Sequence, residues 1–202
     1  MSELALLAPL SGVMVSLDEV PDPVFATRMV GDGVSIDPLS AVLLAPFAAR
    51  VTLVHSAGHA LTLTHASGLE VIMHIGLDTV ELKGEGFRPR VAVGDWVAPG
   101  QALIEFDADL VARKARSLLT QIVIPTAEVV ERLEPSVGLV TAGRDTVLRV
   151  FLRGGAGASA EVEGASAEVV SSPVVEVINP QGLHARPAAV LANRAREFRS
   201  DV

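Results

Sequence analysis

Between Leu4 and Leu152 the chain is a succession of short apolar runs, each cut off before it could become a long helix. Val51–Val54, Ala60–Thr64, Leu69–His74 and Val147–Phe151 are examples, rich in β-branched and aliphatic residues. Turn signals separate them: Ser11-Gly12, Gly31-Asp32-Gly33, Ser67-Gly68, Gly84-Glu85-Gly86, Val93-Gly94-Asp95 and Pro99-Gly100. Short strands at this spacing predict a mainly β fold, an antiparallel sandwich or barrel. Residues 109–119 read as a helix, with Asp107 or Asp109 as cap and Leu110, Val111, Leu118 and Leu119 as its apolar side. Residues 126–133 read as a second, shorter one. Apolar residues make up 50% of the chain but aromatics only 3%, so the core is built from Val, Leu, Ile and Ala.

Several function classes drop out. The chain has no Cys, which removes disulfides, thiolate nucleophiles and Cys-based metal sites and fits a reducing compartment. A net charge of −8 opposes nonspecific nucleic-acid binding. No charge-free apolar stretch reaches the ~18 residues of a membrane span, so no membrane insertion is expected. Met1–Leu10 holds acidic Glu3 and an early Pro9, which makes a poor signal peptide and leaves a cytoplasmic protein as the expectation.

The composition changes after residue 152. Residues 153–173 are small, acidic and short of large side chains, and read as a flexible linker. Val174–Ile178 then reads as a strand, and Ala185–Phe198 as a helix with Ala188, Leu191, Ala192 and Ala195 on its apolar face. One strand and one helix cannot enclose a core, so residues 174–202 read as an incomplete α+β module.

Histidines carry the chemistry. His74 ends an apolar run, flanked by Ile72, Met73 and Ile75, a dry setting that opposes protonation and keeps the imidazole nucleophilic. Gly76, just beyond, permits close approach of backbone or of a partner. If the runs around Ser67-Gly68 pair as a hairpin, His59 joins His74 on one face. There its ring can donate to a new anion, a charge-assisted bond worth roughly 1.5–3 kcal/mol. Asp78 and Glu81 follow closely; Asp78 serves equally well as a cap for the turn. His184 opens the helix Ala185–Phe198, where free backbone N–H groups attract an anion, with Arg186 placed to pair it and Pro187 tolerated in the first turn. His65, before a turn, reads as a solvated surface residue.

These motifs carry a resemblance. Ala8-Pro9-Leu10-Ser11-Gly12, Val20–Ala26, Val30–Gly33, Gly58-His59-Ala60, His74–Phe87 and Val93-Gly94-Asp95 resemble the glucose-type enzyme IIA of the bacterial sugar phosphotransferase system, over residues 1–152. Gly182-Leu183-His184-Ala185-Arg186-Pro187-Ala188 is similar to the active-site motif of HPr, the general phosphocarrier of that system, and 174–202 to its N-terminal part. The order matches the start of fused multiphosphoryl transfer proteins.

The resemblance implies a phosphotransferase component. His74 is its phospho-acceptor, His59 its phosphoryl-stabilising partner, and His184 with Arg186 the acceptor site of the HPr module. The implied partners are HPr, enzyme I and a sugar-specific enzyme IIB/IIC permease. No cofactor is implied beyond the phosphoryl group from phosphoenolpyruvate; a zinc ion at His59 and His74 is implied only where a partner shares it. Val24, Phe25, Met29, Leu61, Ile72 and Val80 match an apolar docking collar; plain core packing is the alternative for each. Glucose and N-acetylglucosamine systems share this type.

Departures from the family pattern are His55, where an aromatic is usual, and Ala57, where a threonine commonly bonds the supporting histidine. Ala48-Ala49 stands at an Asp-Gly turn, where a positive φ would strain alanine. His55 reads as a neutral substitution.

Two other readings compete. One is a regulatory module that signals through its phosphorylation state. The other is a zinc hydrolase with His59, His74 and either Asp78 or His55 as ligands, disfavoured because the chain lacks a tight His-x-His pair. As a carrier, the linker's root-mean-square reach of roughly 25 Å would let His184 feed His74 at an effective concentration in the millimolar range.

Overall fold

Among the described residues the frequent turns separate fourteen strands, none longer than seven residues. A computed structural model describes residues 2–125 and 127–153. The strands are β1 (Ser2–Leu7), β2 (Gly12–Val15), β3 (Asp32–Pro38), β4 (Val42–Leu44), β5 (Ala49–Val54), β6 (Ala60–Thr64) and β7 (Glu70–His74). They continue with β8 (Phe87–Pro89), β9 (Trp96–Val97), β10 (Ala102–Phe106), β11 (Thr120–Ile124), β12 (Val130–Pro135), β13 (Leu139–Val140) and β14 (Thr146–Leu152). Among the described residues two α-helices interrupt them, α1 (Pro23–Ala26) and α2 (Ala108–Lys114). The linker and the HPr-like residues, with His184 and Arg186, lie outside the described residues.

Eight strands form one sheet in the order β13-β2-β3-β11-β7-β6-β5-β9. Two three-stranded sheets, β1-β14-β12 and β4-β10-β8, complete the fold. Every pairing is antiparallel, as the alternating runs and tight turns require. The predicted mainly β antiparallel class is therefore what the chain forms.

The hairpin read around Ser67-Gly68 is β6–β7, with Ala60 opposite His74 and Leu61 opposite Met73. Side chains alternate along each strand. Leu61, Leu63, Val71 and Met73 are all fully buried and face the main core, while Ile72 and His74 on the other face are only partly buried. That core also takes Leu6, Ile36, Leu43, Leu103, Ile122 and Val147. A smaller cluster of Leu17, Val20, Phe25, Leu77 and Val123 forms separately, where α1 and its flanks cover part of the second face. The site lies beside it.

Three expectations need correction. The helix of residues 109–119 stops at Lys114, although Asp107 caps it as read, accepting the Leu110 N–H at 2.9 Å. Ala115 turns extended so that Ser117 can bridge Leu77, and this pairing overrides helix propensity. Residues 126–133 form no α-helix: Ala127–Val129 is a 3-10 turn, and Val130 onwards is strand, drawn into the ladder with β14. Ala48-Ala49 needs no positive φ; the chain enters β5 at Ala49 in ordinary extended geometry.

Among the described residues no helix is long and apolar enough to cross a membrane. Leu61 belongs to the core by the strand alternation above, so it is not available to a docking partner. Leu61→Ala should cost about 2–5 kcal/mol in urea unfolding, whereas Ile72→Ala, at a partly buried position, should cost about 1 kcal/mol.

Candidate functional site

His74 is the last residue of β7, in the interior of the eight-stranded sheet, with β6 on one side and β11 on the other. The next residues leave the sheet plane. Ile75 still donates its N–H to the His59 carbonyl at 2.9 Å, so the backbones at the two histidines are tied together. Gly76 then adopts φ +70°, and a side chain there would stand 2.6 Å from Thr79 Cγ2 and 2.8 Å from the Ser117 carbonyl. Only glycine fits such a bend at such close range. Thr79 secures the turn by donating its hydroxyl to the Ile75 carbonyl at 2.7 Å.

The bend swings the Gly76 carbonyl back onto the ring, 2.9 Å from His74 Nδ1. A carbonyl can only accept, so Nδ1 carries the proton and Nε2 carries the lone pair. Burial pushes the His74 pKa down from 6.5 to about 4. The Gly76 bond opposes that fall, the charge of a protonated His55 adds to it, and Asp22 and Gln121 work against it. The ring is not sealed, since part of its surface meets solvent, and that contact softens the burial effect. At neutral pH His74 is an uncharged, partly buried imidazole that holds its lone pair on Nε2.

His59 does join it. The ring centroids are 4.7 Å apart, edge to face. His59 is only 1% exposed, so its ring backs the site rather than opening onto solvent. Phe25 flanks His74 at 5.6 Å and Phe87 flanks His59 at 6.1 Å. Of the expected collar, Val24 and Phe25 are buried, and Met29, Ile72 and Val80 are partly exposed. Asp78 occupies the cap position of the 3-10 turn Thr79–Leu82, at φ +60°, with no side-chain cap bond; Glu81 is exposed.

Three residues at the site escaped sequence reasoning. His55, read as a neutral substitution, stacks on His59 with centroids 4.4 Å apart, so three imidazoles form a row. Gln121 is fully buried opposite His74 on β11; its signal was a lone amide directly before the apolar run Ile122–Ile124, which must find partners. Its amide N–H donates to the Leu119 carbonyl. Asp22, 4% exposed, caps α1 by accepting the Val24 N–H at 2.9 Å, and its charge reaches His74. The Asp-Pro pair was the signal for that cap. His65 is a partial correction: it is half-buried, edge-on to Phe47 at 5.7 Å, and accepts the Ser67 N–H at the opposite end of the hairpin from His74.

Comparison with known proteins decides the family. The family model described as phosphoenolpyruvate-dependent sugar phosphotransferase system, EIIA 1, matches residues 4–130. The chain belongs to this family. A second model, the PTS HPr component phosphorylation site, matches residues 172–202. The glucose-specific EIIA component of Bacillus cereus is 39% identical over 153 residues, which is 75% of this chain and 93% of that protein. Its Buchnera aphidicola counterpart is 35% identical over 146 residues, 72% of this chain and 91% of that one. The glucose permease IIA from Mycoplasma capricolum has the same fold, with a TM-score of 0.69 and 36% identity over 74% of this chain and 96% of that one. The chain is a phosphocarrier of the sugar phosphotransferase system, a phosphotransferase component that takes up and passes on phosphoryl groups. Among the described residues no group of three or more His, Asp or Glu is arranged to hold a metal ion, so the three-ligand set of a zinc hydrolase does not form there.

Two outcomes follow from the geometry. Because the folded His74 pKa lies below the unfolded 6.5, the unfolded chain takes up the proton first on acidification. His74's contribution to stability should be intact above pH 6.5, fall as the pH drops toward about 4, and level off below. Ring NMR titration and urea unfolding of wild type against His74→Gln read this out. Gly76→Ala should cost at least about 2 kcal/mol, and Gly68→Ala, also at positive φ but with open space around it, about 1 kcal/mol.

Proposed function

We propose that His74 is the phospho-acceptor, that phosphorylated HPr is its donor, and that a sugar-specific enzyme IIB domain of a permease is its acceptor in the cytoplasm. The observation that carries this reading is the 2.9 Å bond from His74 Nδ1–H to the Gly76 carbonyl, which leaves the lone pair on Nε2 of a neutral, solvent-reaching ring. In the transfer, Nε2 attacks the phosphorus of a donor phosphohistidine. A new N–P bond forms as the donor's N–P bond breaks, and its electron pair returns to the donor ring. A donor ring protonated at its second nitrogen leaves as neutral imidazole. The positive charge passes to the His74 ring, whose Nδ1–H remains on the Gly76 carbonyl. That bond strengthens as the charge develops, so it favours the phosphorylated ring.

His59, buried against His74, would donate to a phosphoryl oxygen. The partly exposed Met29, Ile72 and Val80 form the rim a partner would cover, with Val24 and Phe25 beneath it. His184 and Arg186, inside the HPr-type match, would form a second acceptor site. The names of the relatives favour glucose as the sugar. A zinc ion at His59 and His74 would need its remaining ligands from a partner.

Incubation with enzyme I, phosphoenolpyruvate and intact HPr tests the reading. Wild type should gain an acid-labile phosphate at residue 74, and His74→Gln should gain none there. His59→Gln should still be labelled at residue 74 but pass the group on at least about tenfold more slowly, the loss of one charge-assisted hydrogen bond. Label persisting in the domain of His74→Gln would refute the assignment.

A further inference from the structure

The turn that carries Met29 to the rim has a conformation its own residue does not favour. α1 ends at Ala26, and Arg28 follows in the left-handed region at φ +55°. The Arg28 N–H donates to the Phe25 carbonyl at 2.9 Å, and the Met29 N–H donates to the Val24 carbonyl at 3.1 Å. Together these bonds make a Schellman motif, with Arg28 at the left-handed position that closes the helix. Glycine is the usual occupant there, because a side chain resists a positive φ. The closure ties the Met29 backbone to Val24. Phe25, next to Val24 in the chain, stands 5.6 Å from His74 between ring centroids. Three positions of the expected docking collar therefore depend on one turn.

The Arg28 side chain supplies what the backbone lacks. Its guanidinium donates from Nη1 and Nη2 to the two carboxylate oxygens of Asp18, at 2.6 and 3.3 Å, and from Nε to Asp32 Oδ1 at 2.8 Å. Asp18 lies in the 3-10 turn Leu17–Glu19 ahead of α1, and Asp32 opens β3 beyond it. Asp32 Oδ1 is itself held by the Gly33 N–H at 2.8 Å. One planar fork thus spans both flanks of the turn, which a compact ammonium could not do. The Arg28 side chain is 44% exposed, and ion pairs this open add little to global stability. Their effect falls on the local backbone. We propose that Arg28 is a positioning residue for partner docking, its bonds to Asp18 and Asp32 holding the left-handed turn closed so that Met29 stays at the rim with Val24 and Phe25. The consequence for transfer rests on the phosphocarrier reading of His74; the state of the turn does not.

If the guanidinium serves only to hold a positive φ, a residue that adopts it unaided should replace arginine. The experiment uses the full chain as wild type, Arg28→Ala and Arg28→Gly, with 13C on the methionine methyls. The Met29 methyl resonance reports the rim, and the backbone amide spectrum reports that each variant is folded. Steady-state transfer from phosphorylated HPr separates kcat from KM. Arg28→Ala must hold the turn without its ties. It should shift the Met29 methyl and raise KM about fivefold, with kcat within roughly twofold of wild type. Arg28→Gly should bring both the methyl and KM back to within roughly twofold of wild type. Equal losses in the two variants would overturn the proposal, since the guanidinium would then be meeting the partner itself. So would an unchanged KM or an unchanged Met29 methyl in Arg28→Ala. If wild type takes no phosphate from phosphorylated HPr, the phosphocarrier reading fails, and the Met29 methyl in the two variants still decides the role of Arg28 in the turn.

Discussion

The bond between a ring N–H and a backbone carbonyl two residues downstream is the constraint on which this site depends. For His74 to reach the Gly76 carbonyl, the chain must fold back within two residues of leaving a strand, and only a residue without a side chain can do so against Thr79 and Ser117. The sheet supplies the other half. With ladder partners on both sides, β7 cannot shift, so the ring's origin is fixed while its tautomer is chosen. The chemistry of the imidazole is thus set by backbone geometry.

Burial then separates the roles of the histidines. His74 meets solvent and His59 does not, although their centroids are less than 5 Å apart. The exposed one can change partners. The enclosed one can contribute a hydrogen bond whose strength is not diluted by water. The smaller apolar cluster reaches the site through Phe25, whose ring lies 5.6 Å from that of His74.

Much of this was legible in the sequence, for definite reasons. The β6–β7 hairpin followed from alternation and a Ser-Gly turn, and it brought His59 beside His74 as read. Asp107 as a cap followed from its position before a helical run. What failed involved partners distant along the chain. The helix from Asp109 stopped early because Ser117 pairs with Leu77, and residues from Val130 onward became strand because β14 was there to receive them. Leu61 passed for a docking residue because a one-dimensional pattern does not say which face of a strand is outermost. His55 was discounted because its neighbour in space, not in sequence, gives it meaning.

The position of β7 deep within the wide sheet carries a further consequence. Strand interiors bonded on both edges are among the last parts of a protein to open, so the backbone that carries His74 keeps one shape while the loops around it open and close. If His74 takes up and passes on the phosphoryl group as proposed, donor and acceptor meet the same unyielding surface and use it in turn.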